Sequence, residues 1–183
     1  MKFFRLWFGA ILLAFTAIAA SAQPAPQRSG QQDFDWEIGT WRTDVRVLTN
    51  PLSGHPPKWA EYSGTSIVKP LLAGRANFVE LSVSGTSGKI EGGSLRLYNP
   101  QSRQWSLNFA SLRNGMLTAP VYGGFDAAGR GTFYGQDMMD GRAILVRFIV
   151  SRNSPQEANF KQAYSADGGA SWETNWIAVD RRR

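Results

Sequence analysis

Two arginines stand inside apolar, strand-like runs. Arg96 lies between Leu95 and Leu97, two residues from Tyr98. Arg147 shares one face of an alternating run with Leu145 and Ile149, while Ile144, Val146, Phe148 and Val150 share the other. A guanidinium aimed into such surroundings needs a carboxylate or an anionic ligand, because an unpaired buried charge is strongly unfavourable. The competing arrangement has both arginines outside, with their stems laid on the surface. Aimed inward, Arg96 and Arg147 with Tyr98, Tyr134 and Trp176 line a cavity for a small molecule with an apolar body and an anionic or carbonyl head. Glu80 joins this set as a half-buried carboxylate, with Phe78 and Ser82 beside it on the same face.

Other chemistry is thinner. Glu61, Glu80, Glu91, Asp137 and Glu173 supply carboxylates, and two that converge can do acid–base work. Alternation alone does not bring two of them together. His55 is the single histidine and no cysteine is present, so neither a metal centre nor any other cofactor is expected. No Gly-x-Ser-x-Gly elbow accompanies that histidine, which removes the usual seryl hydrolase arrangement. The Gly85-Thr-Ser-Gly88 turn lacks the Lys-Ser/Thr that a phosphate loop requires.

The elements that must hold these residues read as strands throughout. Alternating runs fall at 41–49, 59–69, 76–83, 90–98, 104–111, 116–125, 131–137, 142–151, 158–165 and 172–180. Turn chemistry separates most of them: Asn99-Pro100-Gln101-Ser102, Asp126-Ala-Ala-Gly129, Asp140-Gly141 and Asp167-Gly168-Gly169. The 50–58 loop holds three prolines and His55, and Pro70 closes the second run. One helical turn is expected at 34–38 with Asp33 as its cap. A meander of about ten strands with tight turns favours an all-β, antiparallel up-and-down barrel, since closure removes exposed edges. A two-sheet sandwich is the alternative.

Residues 1–22 carry Lys2 and Arg5, an apolar stretch to Ala20, and Ala20-Ser21-Ala22 as a small-x-small cleavage pattern. They read as a cleavable signal peptide with cleavage after Ala22, so a periplasmic or secreted location is expected. Residues 23–32 are rich in Pro, Gln and Ser and read as a flexible leader, which leaves 33–183 as one domain. The formal charge of +6 is concentrated outside the body, in Lys2, Arg5 and Arg181-Arg182-Arg183. A near-neutral body argues against nucleic acid, and the arginine tail is open to weak contact with an anionic membrane surface.

Four segments carry a family resemblance. Phe34-Asp-Trp-Glu-Ile-Gly-Thr-Trp41 places Gly-x-Trp at the mouth of the first strand, as in lipocalin-like barrels, the calycins. Gly93-Ser-Leu-Arg-Leu-Tyr-Asn-Pro-Gln-Ser-Arg-Gln-Trp105, Gly131-Thr-Phe-Tyr-Gly135 and Asp167-Gly-Gly-Ala-Ser-Trp-Glu-Thr-Asn-Trp176 follow in order. Together they resemble the bacterial domain-of-unknown-function 1579 family over nearly all of the chain after residue 22. The resemblance implies a calycin-type barrel and brings no activity with it. Ser165-Ala-Asp-Gly-Gly-Ala-Ser-Trp172 also resembles the Asp-box of sialidase-like propellers, where it is a recurring structural turn. One copy in a chain this short is turn chemistry.

These readings converge on an exported lipocalin-like barrel that binds a small hydrophobic or amphipathic molecule. Two alternatives differ in kind. One is a small isomerase, cyclase or hydrolase using inward carboxylates such as Glu80. The other is an interaction module whose interior is filled by side chains.

Overall fold

Side chains that alternate between apolar and polar along a strand sort to opposite faces of a sheet, and a sheet this long buries its apolar face by closing on itself. The computed structural model describes residues 29–183; the signal-peptide reading of 1–22 lies outside them. The strands are β1 (Gly39–Leu48), β2 (Trp59–Leu71), β3 (Ala76–Gly85), β4 (Gly88–Asn99), β5 (Gln104–Ser111) and β6 (Met116–Leu117). They continue as β7 (Val121–Phe125), β8 (Arg130–Met139), β9 (Arg142–Ser154), β10 (Glu157–Ser165) and β11 (Glu173–Arg182). Each neighbouring pair is antiparallel in sequence order, β1 pairs with β11, and β4 pairs with β5. Ten strands thus close an up-and-down ring, and the two-residue β6 hangs on β5 outside it.

The register fixes which side chains face in. Trp41, Thr43, Val45 and Val47 of β1 stand opposite Arg182, Asp180, Ala178 and Trp176 of β11. The same inward set continues through Ser66 and Val68, Asn77 and Val79, Arg96 and Tyr98, Trp105 and Leu107, and round to Val146, Phe148 and Val150. Glycines sit where neighbouring strands press too closely for a side chain. A Cβ on Gly64 would lie 2.1 Å from the Ser82 carbonyl oxygen, and one on Gly123 would lie 2.0 Å from that of Thr132.

One end of the ring is plugged by the segment before β1. Gly30–Gln32 and Asp35–Glu37 form short 3₁₀ turns there. Phe34, fully buried, meets Trp105 and Phe125 edge-on at 5.0 and 4.9 Å and lies nearly parallel to Phe133 at 5.9 Å. Trp41 Nε1 donates to the Glu37 carbonyl at 2.7 Å, and Trp105 Nε1 to that of Gly30 at 2.9 Å. The second of these bonds ties Gly30 to the barrel, although the composition of 23–32 reads as leader. Phe34, not Asp33, occupies the cap position of the second turn, with no side-chain cap bond.

Other departures have local causes. The run 116–125 is two strands, because Pro120 brings no N–H to a ladder and Thr118 turns instead to Phe109. Pro70 does not end β2; it falls, exposed, next to the last residue, where a missing N–H costs little. The arginine tail is structural in part. Arg181 bonds Asp44 at 2.8 Å, and Arg182 donates to the Trp36 and Ile38 carbonyls while lying 4.2 Å over the Trp41 ring. Of the three cations in the membrane-contact expectation for Arg181, Arg182 and Arg183, Arg182 is thus committed to the plugged end, while Arg181 stays on the outer surface between Asp44 and Glu157.

Candidate functional site

Inside the ring lies a cavity of about 400 Å³. The interior is therefore not filled by side chains. Its walls are mainly aliphatic and aromatic, drawn from nearly every strand, with Val45, Leu81, Phe109, Val146, Phe160 and Trp176 among them. Pro51, Thr118 and Ala119 stand at the end away from the plug, which makes that end the mouth. The β1–β2 loop is pinned there by the Leu52 N–H, which donates to Glu173 Oε2 at 2.5 Å. Asp137 is exposed at the same rim.

A polar cluster forms the floor. Thr43 Oγ1 donates to Asp180 Oδ1 at 2.5 Å, Ser66 Oγ reaches the same oxygen at 3.2 Å, and the two hydroxyls lie 2.7 Å apart. Beside them Arg96 grips Glu37 with both terminal nitrogens, Nη1 to Oε2 and, at 3.3 Å, Nη2 to Oε1. Its guanidinium carbon sits 4.2 Å over the Phe34 ring. Burial pushes the Asp180 carboxyl up to about 6; the Thr43 bond opposes that, the nearby Glu37 charge reinforces it, and Ser66 and Arg96 pull it down. Higher in the cavity, burial raises the Tyr164 phenol.

The six residues singled out from sequence separate into distinct places. Arg96 and Trp176 line the cavity. Tyr98 is in the floor below it, packed 5.4 Å from Trp105, its hydroxyl accepting from the Gly30 N–H at 3.0 Å. Arg147 faces out, since its neighbours Val146 and Phe148 take the inward positions. There it lies 4.4 Å over Trp172, beside Tyr134, which pairs with it across the ladder and is likewise on the outer face. Glu80 is outside too, exposed and 4.0 Å from Lys69. The expectation that Arg147, Tyr134 and Glu80 line the cavity is thus corrected by strand phase: all three are out of step with the core residues of their strands.

Of the other carboxylates, Glu61 and Glu91 pair on the surface with Arg46 and Lys89. His55 is exposed in the β1–β2 loop. The Asp167 turn behaves as turn chemistry: its carboxylate takes the Ser171 N–H and hydroxyl and the Ser165 hydroxyl, bonds that hold it well below the usual range.

Sequence reasoning missed Glu37, Thr43, Ser66 and Asp180. A signal existed for three of them. Thr43 is in phase with Trp41 and Val45, Ser66 with Val68, and Asp180 with Ala178 and Trp176. Polar residues on the core face of three adjacent strands must answer one another.

No family model matches the chain, and no curated protein does. Solved structures are similar to it in fold. An S-type phycobiliprotein lyase from Guillardia theta superimposes with a TM-score of 0.58 at 13% identity, covering 86% of this chain and 94% of that one. A de novo designed fluorescence-activating β-barrel covers 86% of this chain and all of its own length at 14% identity, with a TM-score of 0.43. Another barrel, solved bound to DFHBI, gives 0.46 at 10% identity, covering 85% of this chain and all of its own. At 13% identity the likeness to the lyase speaks for the barrel fold and for nothing chemical.

Proposed function

We propose that this protein is a binding barrel that holds a small hydrophobic or amphipathic molecule non-covalently. The cavity carries the reading. A volume of about 400 Å³ falls within the range of small-molecule sites, and apolar walls with one cluster of convergent polar groups match their usual make-up. Apolar surface facing an interior of this size is released from water when an apolar body enters, which supplies the driving force. Native mass spectrometry of the protein purified from its own cells tests this. The expected result is an adduct of small-molecule mass that leaves on denaturation; bare protein that also takes up no apolar probe counts against it.

One observation favours a second reading. Asp180, raised to about 6 and facing an apolar cavity, has the character of a general acid or base at neutral pH. Acid–base turnover of the bound molecule, as in a small isomerase, cyclase or hydrolase, would then replace simple storage. Incubation of a captured molecule with excess protein separates the two: recovery unchanged supports binding, and conversion that Asp180→Asn abolishes supports catalysis.

The domain-of-unknown-function 1579 kinship and the export of the chain belong to the same proposal. Both rest on sequence, the first on the four segments and the second on residues 1–22. N-terminal sequencing of the protein from a cell-envelope fraction is expected to start at Gln23. A start at Met1 in the cytosol refutes export.

A further inference from the structure

We infer that the molecule held in this cavity turns a hydrogen-bond-donating end, best a protonated amine, toward Asp180, and that a carboxylate end is rejected. The inference rests on the binding reading above and reverses the anionic head expected from sequence. The reason is which polar atoms remain open. Glu37, Thr43, Ser66 and Arg96 are 8, 2, 5 and 6% exposed, so their polar atoms are almost wholly closed off. Asp180 alone in the cluster is half-buried while standing at an inward strand position, so its remaining surface faces the cavity.

Arg96 is the cation that a carboxylate would seek. Both of its terminal nitrogens are already committed to Glu37, and its Nε is buried out of reach without a partner. The Thr43 and Ser66 hydroxyls are likewise committed to Asp180 Oδ1. What this floor cluster leaves for a ligand is an acceptor on Asp180. Its Oδ2 takes neither of those hydroxyl bonds and is free to receive a donor.

Charge agrees with hydrogen bonding. The carboxylates along the cavity wall are Glu37, Asp137 and Asp180 and its one base is Arg96; the Tyr164 phenol, also on that wall, is raised by burial and so stays neutral. With Arg96 neutralised by Glu37, the remaining field is that of Asp180 at the floor and Asp137 at the mouth. Inside low-dielectric walls that field opposes an entering anion and favours a cation far more than it would in water. A neutral alcohol falls between them, gaining the hydrogen bond without the charge.

Displacement of phenylnaphthylamine, a neutral apolar fluorophore, from the full-length folded protein tests the inference with three probes of equal chain length. At neutral pH, decylamine is expected to displace it at a concentration at least about tenfold below decanoate, with decanol between. Asp180→Asn, which keeps an acceptor for Thr43 and Ser66, is expected to bring the displacing concentrations of decylamine and decanoate together, each read against that variant's own fluorophore affinity. Decanoate competing as well as decylamine overturns the inference and leaves the binding reading standing. So does an unchanged order in Asp180→Asn. If no fluorophore binds at all, the binding reading fails and takes the inference with it. The wild-type series decides the matter even where the variant does not fold.

Discussion

Asp180→Asn should make the protein more stable at neutral pH, although it removes a hydrogen-bonded side chain. The folded-state value of about 6 lies above the ordinary 3.8, so the folded protein holds this proton more tightly than the unfolded chain. The stability that comes with the protonated form is therefore complete below about pH 4 and disappears as pH rises through about 6. A gap of roughly two units corresponds to about 3 kcal/mol. Asparagine resembles the protonated acid at every pH. The difference in unfolding free energy, variant minus wild type, should thus grow by about 2.4 kcal/mol between pH 4 and pH 7.5. Urea titrations across that range read it directly. With an m-value of about 2 kcal/mol/M, the midpoint of the variant should move ahead by about 1.2 M over that range. Asp44 and Asp167, both held low in the folded state, titrate alike in the two proteins and cancel. A difference that stays flat, or that grows in favour of the wild type, would refute the claim that this carboxyl sits desolvated on the cavity floor.

The Arg96–Glu37 pair behaves in the opposite way. Glu37→Gln strands a buried guanidinium and should cost about 3–5 kcal/mol by urea unfolding, while Glu37→Gln combined with Arg96→Met should cost less than the two single losses added together. Phe34→Ala removes the ring at the centre of the plug and should cost about 3–5 kcal/mol, read as a lower thermal midpoint by calorimetry. Arg147→Met should cost no more than about 1 kcal/mol, through its outer contact with Trp172, and leave fluorophore binding unchanged. A large loss of binding in Arg147→Met would return that residue to the cavity.

Nearly every strand was legible from alternation and turn chemistry, because period two and Asp-Gly turns act locally. Closure was legible indirectly: a meander with no helix to cover its apolar face has to meet itself. The site was harder to read. Arg96 and Arg147 look alike in one dimension, each an arginine among aliphatics. What separates them is strand phase, since Arg96 is in step with Ser94 and Tyr98 on the inner face, and Arg147 is in step with Leu145 and Ile149 on the outer one. Phase is set by pairing with strands far away in sequence, so an isolated run does not reveal it. Thr43 and Asp180 are brought together only by closure, 137 residues apart along the chain. Their partnership could have been sought from the polar residues in phase with Trp41 and Trp176, but not placed without the β1–β11 register.

The central claim is that the interior of the barrel is a binding cavity, and Ala178 is the place to test it. It is a small, buried, inward residue on β11, between Trp176 and Asp180 on the cavity wall. Ala178→Phe pushes a ring into the empty volume without touching the outer face. Phenylnaphthylamine titrated into both proteins, with circular dichroism to confirm the barrel, should show saturable binding of one molecule per chain in the wild type and little or none in Ala178→Phe. Equal binding by the two folded proteins, or none by the wild type, would contradict the account.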